Sequence, residues 1–249
     1  VFRWREREPG EGFRFGVDWS VTDRWGGASQ GTYAEFNMGA HVGDVPEAVE
    51  TNRHRLARAL GISGANLRFM AQVHGRAVAQ VGEDDTEPPT ADGMITSSTE
   101  VALVVLVADC TPVLLLDRVA GLVGAVHAGR GGMLQGVVPA TVERMKALGS
   151  GELEAVVGPS ICPRCYEVPA ELRDEAARMT PVAASVSWTG TPAIDVAAAV
   201  VDQLHGADVT VRWLPGCSRE SDDLYSHRRD GTTGRYAGVV RLLPPEDVA

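Results

Sequence analysis

Several ordinary signals are missing or sparse in this 249-residue chain, and each absence narrows what it can be. Only four cysteines occur, too few for the dense disulfide framework that holds a small secreted domain together, so reduced thiols are expected. Positive charge is not in excess. The formal net charge of −10 argues against a general binder of phosphate backbones, which needs clustered Lys and Arg to release counterions. Local basic clusters do exist at Arg53-His54-Arg55 and Arg228-Arg229. The opening stretch Val1 to Glu8 has no apolar core of signal-peptide length, and no later apolar run is long enough to span a bilayer. The expectation is a cytoplasmic protein with no nucleic-acid or membrane partner. Internal repeats, low-complexity tracts and a convincing linker are also lacking. With 44% hydrophobic residues the chain can bury a sizeable core, and the reading is one domain over 1–249.

What is present is a central apolar block. Segments 101–108, 113–117 and 121–126 are near-continuous apolar runs rather than alternating ones, as in strands buried on both faces. Around them, 45–60 reads as a helix, with Asp44 and Glu47 as a capping box, Pro46 in the first turn and Gly61 as the stop. Strands are expected at 67–73, 77–81, 154–157, 208–213 and 237–242, and helices at 133–148, 169–179 and 193–205. Glu83 to Thr90, rich in acid and proline, reads as an exposed loop. Together these predict a mixed α/β domain with packed mixed sheets and outer helices, layered α/β/β/α.

Three residues stand at the ends of apolar runs: His74 after Phe69-Met70-Ala71-Gln72-Val73, Cys110 after Val101 to Asp109, and His127 after Gly121 to Val126. Imidazole nitrogen and thiolate sulfur suit a borderline-soft divalent ion, and three protein ligands leave one tetrahedral position open, the stoichiometry of a catalytic zinc site. Taken singly, a Cys after a buried strand is usually inert and a strand-edge His is usually hydrogen-bonded. The separations match no compact zinc motif. Other candidates have their own bland readings. Gly129-Arg130-Gly131-Gly132 lies between a strand and a helix, where backbone N–H groups receive anions such as phosphate, or it is simply a tight turn. Cys162-x-x-Cys165 reads as a redox pair, as half of a zinc site or, preferably, as a structural segment. Asp109 either orients a ligand histidine or carries a proton, although neighbouring strand residues point to opposite faces. His41 and His227 are proton-carrier candidates with structural roles as the plainer reading.

The strings Gln72-Val73-His74-Gly75, Ala108-Asp109-Cys110-Thr111-Pro112 and His127-Ala128-Gly129 resemble the laccase-domain, or polyphenol-oxidase-like, family. Flanking matches include Asn37-Met38-Gly39, Asn52-Arg53, Gly158-Pro159-Ser160-Ile161, Tyr166-Glu167-Val168, Ser226-His227-Arg228-Arg229-Asp230 and Thr233-Gly234-Arg235, so the resemblance runs from Asn37 to Arg241. It implies a zinc enzyme in which His74, Cys110 and His127 hold the metal and serve catalysis. The implied reaction is phosphorolysis of purine nucleosides (adenosine, inosine, guanosine or methylthioadenosine), with adenosine deamination as a companion. Purine nucleoside and inorganic phosphate are then the small-molecule partners. Asn37, Arg53, Arg130, Arg228 and Arg235 are the candidate contacts to phosphate or ribose. The chain departs from the family pattern His-Ala-Gly-Trp-Arg-Gly by placing Arg130 at the Trp position and Gly131 at the Arg position, so stacking by that Trp is not expected here. Alternatives are a copper-dependent (Cu2+) polyphenol oxidase, which needs more copper ligands than these three, a peptidoglycan-precursor editing hydrolase, and a metal-stabilised binding module without activity.

Overall fold

In this computed structural model, residues 1–12 and 14–245 are described, and their strands form two packed sheets. In chain order the elements are β1 (Phe2–Glu8), β2 (Gly16–Thr22), α1 (Pro46–Leu60), β3 (Leu67–Arg68), β4 (Val78–Gln80), β5 (Gly93–Thr96), β6 (Ala102–Val107), β7 (Thr111–Asp117) and β8 (Leu122–Ala128). They continue with α2 (Arg130–Gln135), α3 (Val137–Ala147), β9 (Glu154–Val157), α4 (Ala170–Met179), β10 (Ala184–Val186), β11 (Pro192–Ile194), α5 (Val196–His205), β12 (Thr210–Trp213), α6 (His227–Asp230) and β13 (Tyr236–Leu243). One sheet has the order β1-β2-β13-β6-β3, the other β12-β9-β7-β8-β5-β4, and β10 and β11 form a separate hairpin. Both large sheets are mixed: β3 with β6, β4 with β5 and β9 with β12 are parallel pairs, and the other pairings are antiparallel.

The continuous apolar runs have a simple cause: successive side chains on a strand point to opposite faces, and here both faces are covered. On β6, Leu103, Val105 and Val107 enter the core between the sheets with Trp19, Leu114, Leu116 and Val123, while Ala102, Val104 and Leu106 meet Leu56, Ala57 and Leu60 of α1. On β7, Leu114 and Leu116 face the other sheet. Val113 and Leu115 instead face α3 and α5, through Val138, Val142, Ala199 and Val200. This is the expected α/β/β/α layering, with three apolar layers in which a fully buried Leu or Val contributes roughly 1.5–3 kcal/mol.

Local expectations needed correction. The helix expected over 133–148 is two helices, because Gly136 takes a left-handed conformation (φ 79°) that closes α2 and opens α3. The capping box is not formed. Val45 is the N-cap, and Asp44 accepts from the Val45 N–H and from Asn37 Nδ2. Gly61 does stop α1 with φ 73°. The strand expected over 67–73 ends at Arg68, and the helix expected from 193 starts at Val196, because 192–194 pair in β11. β1 and β2 were not anticipated; in β1 charge masks the pattern. In Phe2–Glu8 the charged residues occupy an edge strand, and Arg5 donates to the buried Asp18 carboxylate at 2.6 and 2.9 Å. No helix among the described residues is long and apolar enough to cross a membrane.

Candidate metal centre

His127 is the fixed point. It lies inside β8, nearly fully buried, with its Nδ1 2.8 Å from Asp92 Oδ1. A carboxylate on one ring nitrogen leaves Nε2 as the ligating atom and sets the ring orientation, the usual arrangement behind a metal-bound imidazole. Asp92 also accepts from the backbone N–H groups of Val73 (3.2 Å), His74 (3.0 Å) and Gly75 (2.7 Å). Burial alone would push the Asp92 carboxyl up, but His127 and these amides override it and hold it below the usual carboxylate range. One buried carboxylate thus aims one ligand directly and anchors the loop that carries another.

His74 is not at a strand end. It sits in that loop with φ 59°, a left-handed conformation uncommon for a residue with a side chain. Gln72 secures the loop from the other side, with its amide donating to Leu106 O and accepting from Leu106 N at 2.7 and 2.9 Å. Cys110 lies in the turn between β6 and β7, preceded by Asp109 at φ 90°. The strained turn is pinned by the Asp109 carboxylate, which accepts from Ser218 Oγ (2.7 Å), Ser226 Oγ (2.6 Å) and the Arg228 backbone N–H (2.6 Å). Asp109 therefore orients this turn and the segments across from it. The carboxylate that orients a histidine is Asp92.

The donor atoms of His74, Cys110 and His127 all lie within 4.8 Å of one another, and the two imidazole rings meet edge to face at 4.7 Å. Gly129 packs against the donors. A Cβ there would stand 2.5 Å from His74 Nδ1 and 3.0 Å from Cys110 Sγ, so only glycine leaves the donors room. Burial opposes ionisation of Cys110, but His127 and His74 overcome it and pull the thiol down to about 6. Burial likewise opposes the His127 imidazolium, yet Cys110 and Asp92 hold its pKa up at about 9. The set is a thiolate beside a shared proton. A divalent cation replaces that proton on binding, so the donor chemistry fits a metal.

These donors line a cavity of about 400 Å³. Its walls carry Arg130, Arg228 and Arg235 as cations, Leu106, Val107 and Ile161 as apolar surface, and His41, His227 and Tyr166. The Arg228 guanidinium lies over the Tyr166 ring at 5.0 Å and donates to Glu167 O at 2.8 Å, and Arg130 approaches Glu175 at 3.8 Å. Burial, with Arg235 and Arg53 adding to it, lowers the His41 pKa, which keeps that imidazole neutral at pH 7. Asn37 and Arg53 stand apart from the cavity lining. Asn37 is fully buried and bonds Gly39, Asp44 and the Arg235 N–H, while Arg53 donates to Met38 O and lies over the Phe69 ring at 3.9 Å. Their hydrogen bonds position Arg235 and the loop before α1. Asp92 escaped the sequence reading because a single Asp with no motif around it carries no signal until the sheet brings it beside His127.

A candidate three-donor His, Cys, His metal site lining a cavity, carried by two packed mixed sheets, marks a protein of α/β/β/α architecture. The chain matches, over residues 18–243, the family described as multi-copper polyphenol oxidoreductase laccase, and it belongs to that family. Among its relatives, purine nucleoside phosphorylase ORF3 of Streptomyces griseus is 52% identical over 90% of this chain and 93% of its own length. A purine nucleoside phosphorylase of Streptomyces coelicolor is 48% identical over 91% of this chain and 96% of its own. Of the solved structures, a Neisseria meningitidis protein superimposes with a TM-score of 0.83 at 32% identity, covering 96% of this chain and 98% of its own. YlmD from Geobacillus stearothermophilus also gives 0.83, at 29% identity over 99% of both chains.

Proposed function

We propose that this chain is a zinc-dependent purine nucleoside phosphorylase, which moves the ribosyl group of a purine nucleoside onto inorganic phosphate and releases the free base. The observation that carries the reading is the shared cavity, in which one His, Cys, His donor set and three arginines face the same space. Relatives up to 52% identical bear the name of that activity.

Phosphate must reach the anomeric carbon while the purine leaves, so the site needs anion donors beside the sugar. Arg130, Arg228 and Arg235 supply them, and a guanidinium suits phosphate because its planar fork donates two parallel hydrogen bonds. Leu106, Val107 and Ile161 offer apolar surface to the flat base. Tyr166, between Arg228 and Arg130, brings a hydroxyl, and the neutral imidazole of His41 is able to accept a proton. Asp92 keeps His127 aimed, and Asp109 keeps Cys110 and Arg228 in one frame. His74, Cys110 and His127 would hold a zinc ion, which would supply Lewis acidity to the site. His and Cys donors suit zinc. For a multi-copper oxidase, further histidine clusters are needed, and among the described residues the other candidate donor group contains no histidine.

The test is product analysis. Zinc-loaded protein with inosine or adenosine and phosphate should yield free base and ribose 1-phosphate, strictly dependent on phosphate, and inosine formed from adenosine reads the companion deamination separately. Absence of free base beside an active control enzyme, or turnover of phenols by copper-loaded protein in its place, sinks the reading.

A further inference from the structure

The chain's other three cysteines converge with a carboxylate outside the catalytic cavity. Donor atoms of Cys162, Cys165, Cys217 and Glu220 all lie within 4.8 Å of one another. A tetrahedral zinc with bonds of about 2.3 Å to sulfur sets its ligands about 3.8 Å apart, so small side-chain adjustments close the set. The spacing repeats: Cys162-Pro163-Arg164-Cys165 and Cys217-Ser218-Arg219-Glu220 are two x2 loops, each turned by a backbone bond from its fourth residue to its first (Cys165 N to Cys162 O, 3.0 Å; Glu220 N to Cys217 O, 3.2 Å). They leave the same end of the parallel pair β9 and β12, whose ladder is prolonged by the Ser160–Cys217 bridge.

The surroundings are those of a sulfur-bound cation site. The Cys162 backbone N–H donates to Cys217 Sγ at 3.3 Å, and Glu220 Oε1 is oriented by Cys165 Sγ at 3.2 Å and Trp188 Nε1 at 3.1 Å. Cys165 and Cys217 are buried while Glu220 is exposed, which leaves the carboxylate side as the entry path. We propose that Cys162, Cys165, Cys217 and Glu220 form a second, closed zinc site that clamps the wall of the catalytic cavity. Three sulfurs and one oxygen fill all four positions, the pattern of a structural centre, and thiolates select zinc over harder ions. The clamp reaches the first centre through named bonds. Ser218, inside the second loop, donates from Oγ to Asp109, and Ile161, next to Cys162, donates its N–H to Asp109 O at 2.9 Å.

The decisive measurement is the metal count of a His74→Ala/Cys110→Ala protein, prepared without reductant, exposed to zinc and then dialysed. One equivalent of zinc per chain is expected, lost when Cys165→Ser is added. In cobalt-loaded His74→Ala/Cys110→Ala protein, strong thiolate-to-cobalt charge-transfer absorption is expected although Cys110 is gone. No retained zinc, or a disulfide among the three cysteines found by alkylation and mass spectrometry, overturns the proposal. Should that variant fail to fold, X-ray absorption on the zinc-loaded wild-type protein decides: two zincs averaging two sulfurs each support the clamp, whereas one zinc bearing a single sulfur refutes it. Both counts are independent of whether the protein turns over nucleosides.

Discussion

The two cysteine-containing centres of this molecule sit close together in the fold but are built on opposite principles. The His74, Cys110, His127 set mixes nitrogen and sulfur, offers three donors, and is held by two residues at positive φ: His74, whose backbone N–H donates to Asp92, and Asp109, whose own carboxylate accepts from Ser218, Ser226 and the Arg228 N–H. The Cys162, Cys165, Cys217, Glu220 set is rich in sulfur, offers four donors, and is carried by two short turns at the end of a regular parallel ladder. Strain and an unfilled position belong with chemistry, and a filled shell on regular backbone belongs with support. The contrast matches the proposed division of one fold between a reacting centre and a bracing one that use the same residue type.

The contrast is most sharply broken by Cys110→Ala. Removing the thiolate at the first centre should lower kcat/KM for phosphorolysis by at least about 10²-fold, more than loss of an outer partner of a metal ligand costs. Metal counting should show the loss confined to the first centre, and a change in Tm as large as that of Cys165→Ser would contradict the division of roles. Asp92→Asn comes next. It leaves His127 without its carboxylate, and metal affinity measured by competition with a chelator should fall about 10- to 100-fold. An unchanged affinity would remove Asp92 from the account.

Arg228→Ala tests the cavity wall between the two centres. Loss of a charged hydrogen bond to phosphate, about 1.5–3 kcal/mol, should raise the KM for phosphate about tenfold or more while the KM for nucleoside changes less. Equal changes in both would place Arg228 elsewhere in the reaction. The smallest effect is expected from Ser218→Ala, which cuts one bond between the centres. A hydrogen bond to a carboxylate is worth about 1.5–3 kcal/mol, and in a chain of this size Tm should drop by about 3–12 °C with both metals retained. Zinc lost from either centre in this variant would mean that they are coupled more tightly than one hydroxyl explains.

Legibility differed between the centres for physical reasons. His74, Cys110 and His127 were readable because each terminates or closely follows an apolar run and because the flanking strings resemble a family. Cys162 and Cys165 were visible as half of a possible zinc site, but Cys217 lies in the turn after β12 and meets them only through the parallel pairing of β9 and β12 and the Ser160–Cys217 bridge that extends it. Asp92 had no signature of its own. Arg53 and Asn37, candidate contacts by sequence, fall outside the cavity lining, because an arginine or asparagine near a motif looks the same whether it faces a cavity or its own backbone.

The layering was readable where both faces of a strand are apolar, as in β6, β7 and β8, and hidden where charge lies on an edge strand, as in β1. Likewise α1 followed from Pro46 and Gly61, whereas the division of α2 from α3 depended on the left-handed turn at Gly136. From the residues alone came the apolar block, the kinds of donor available and the acidic charge, because composition and period are local properties. Tertiary structure alone decided which carboxylate aims His127, which arginines share the cavity and where the remaining thiols meet. Those depend on distances between segments far apart in the chain, set by strand order and register.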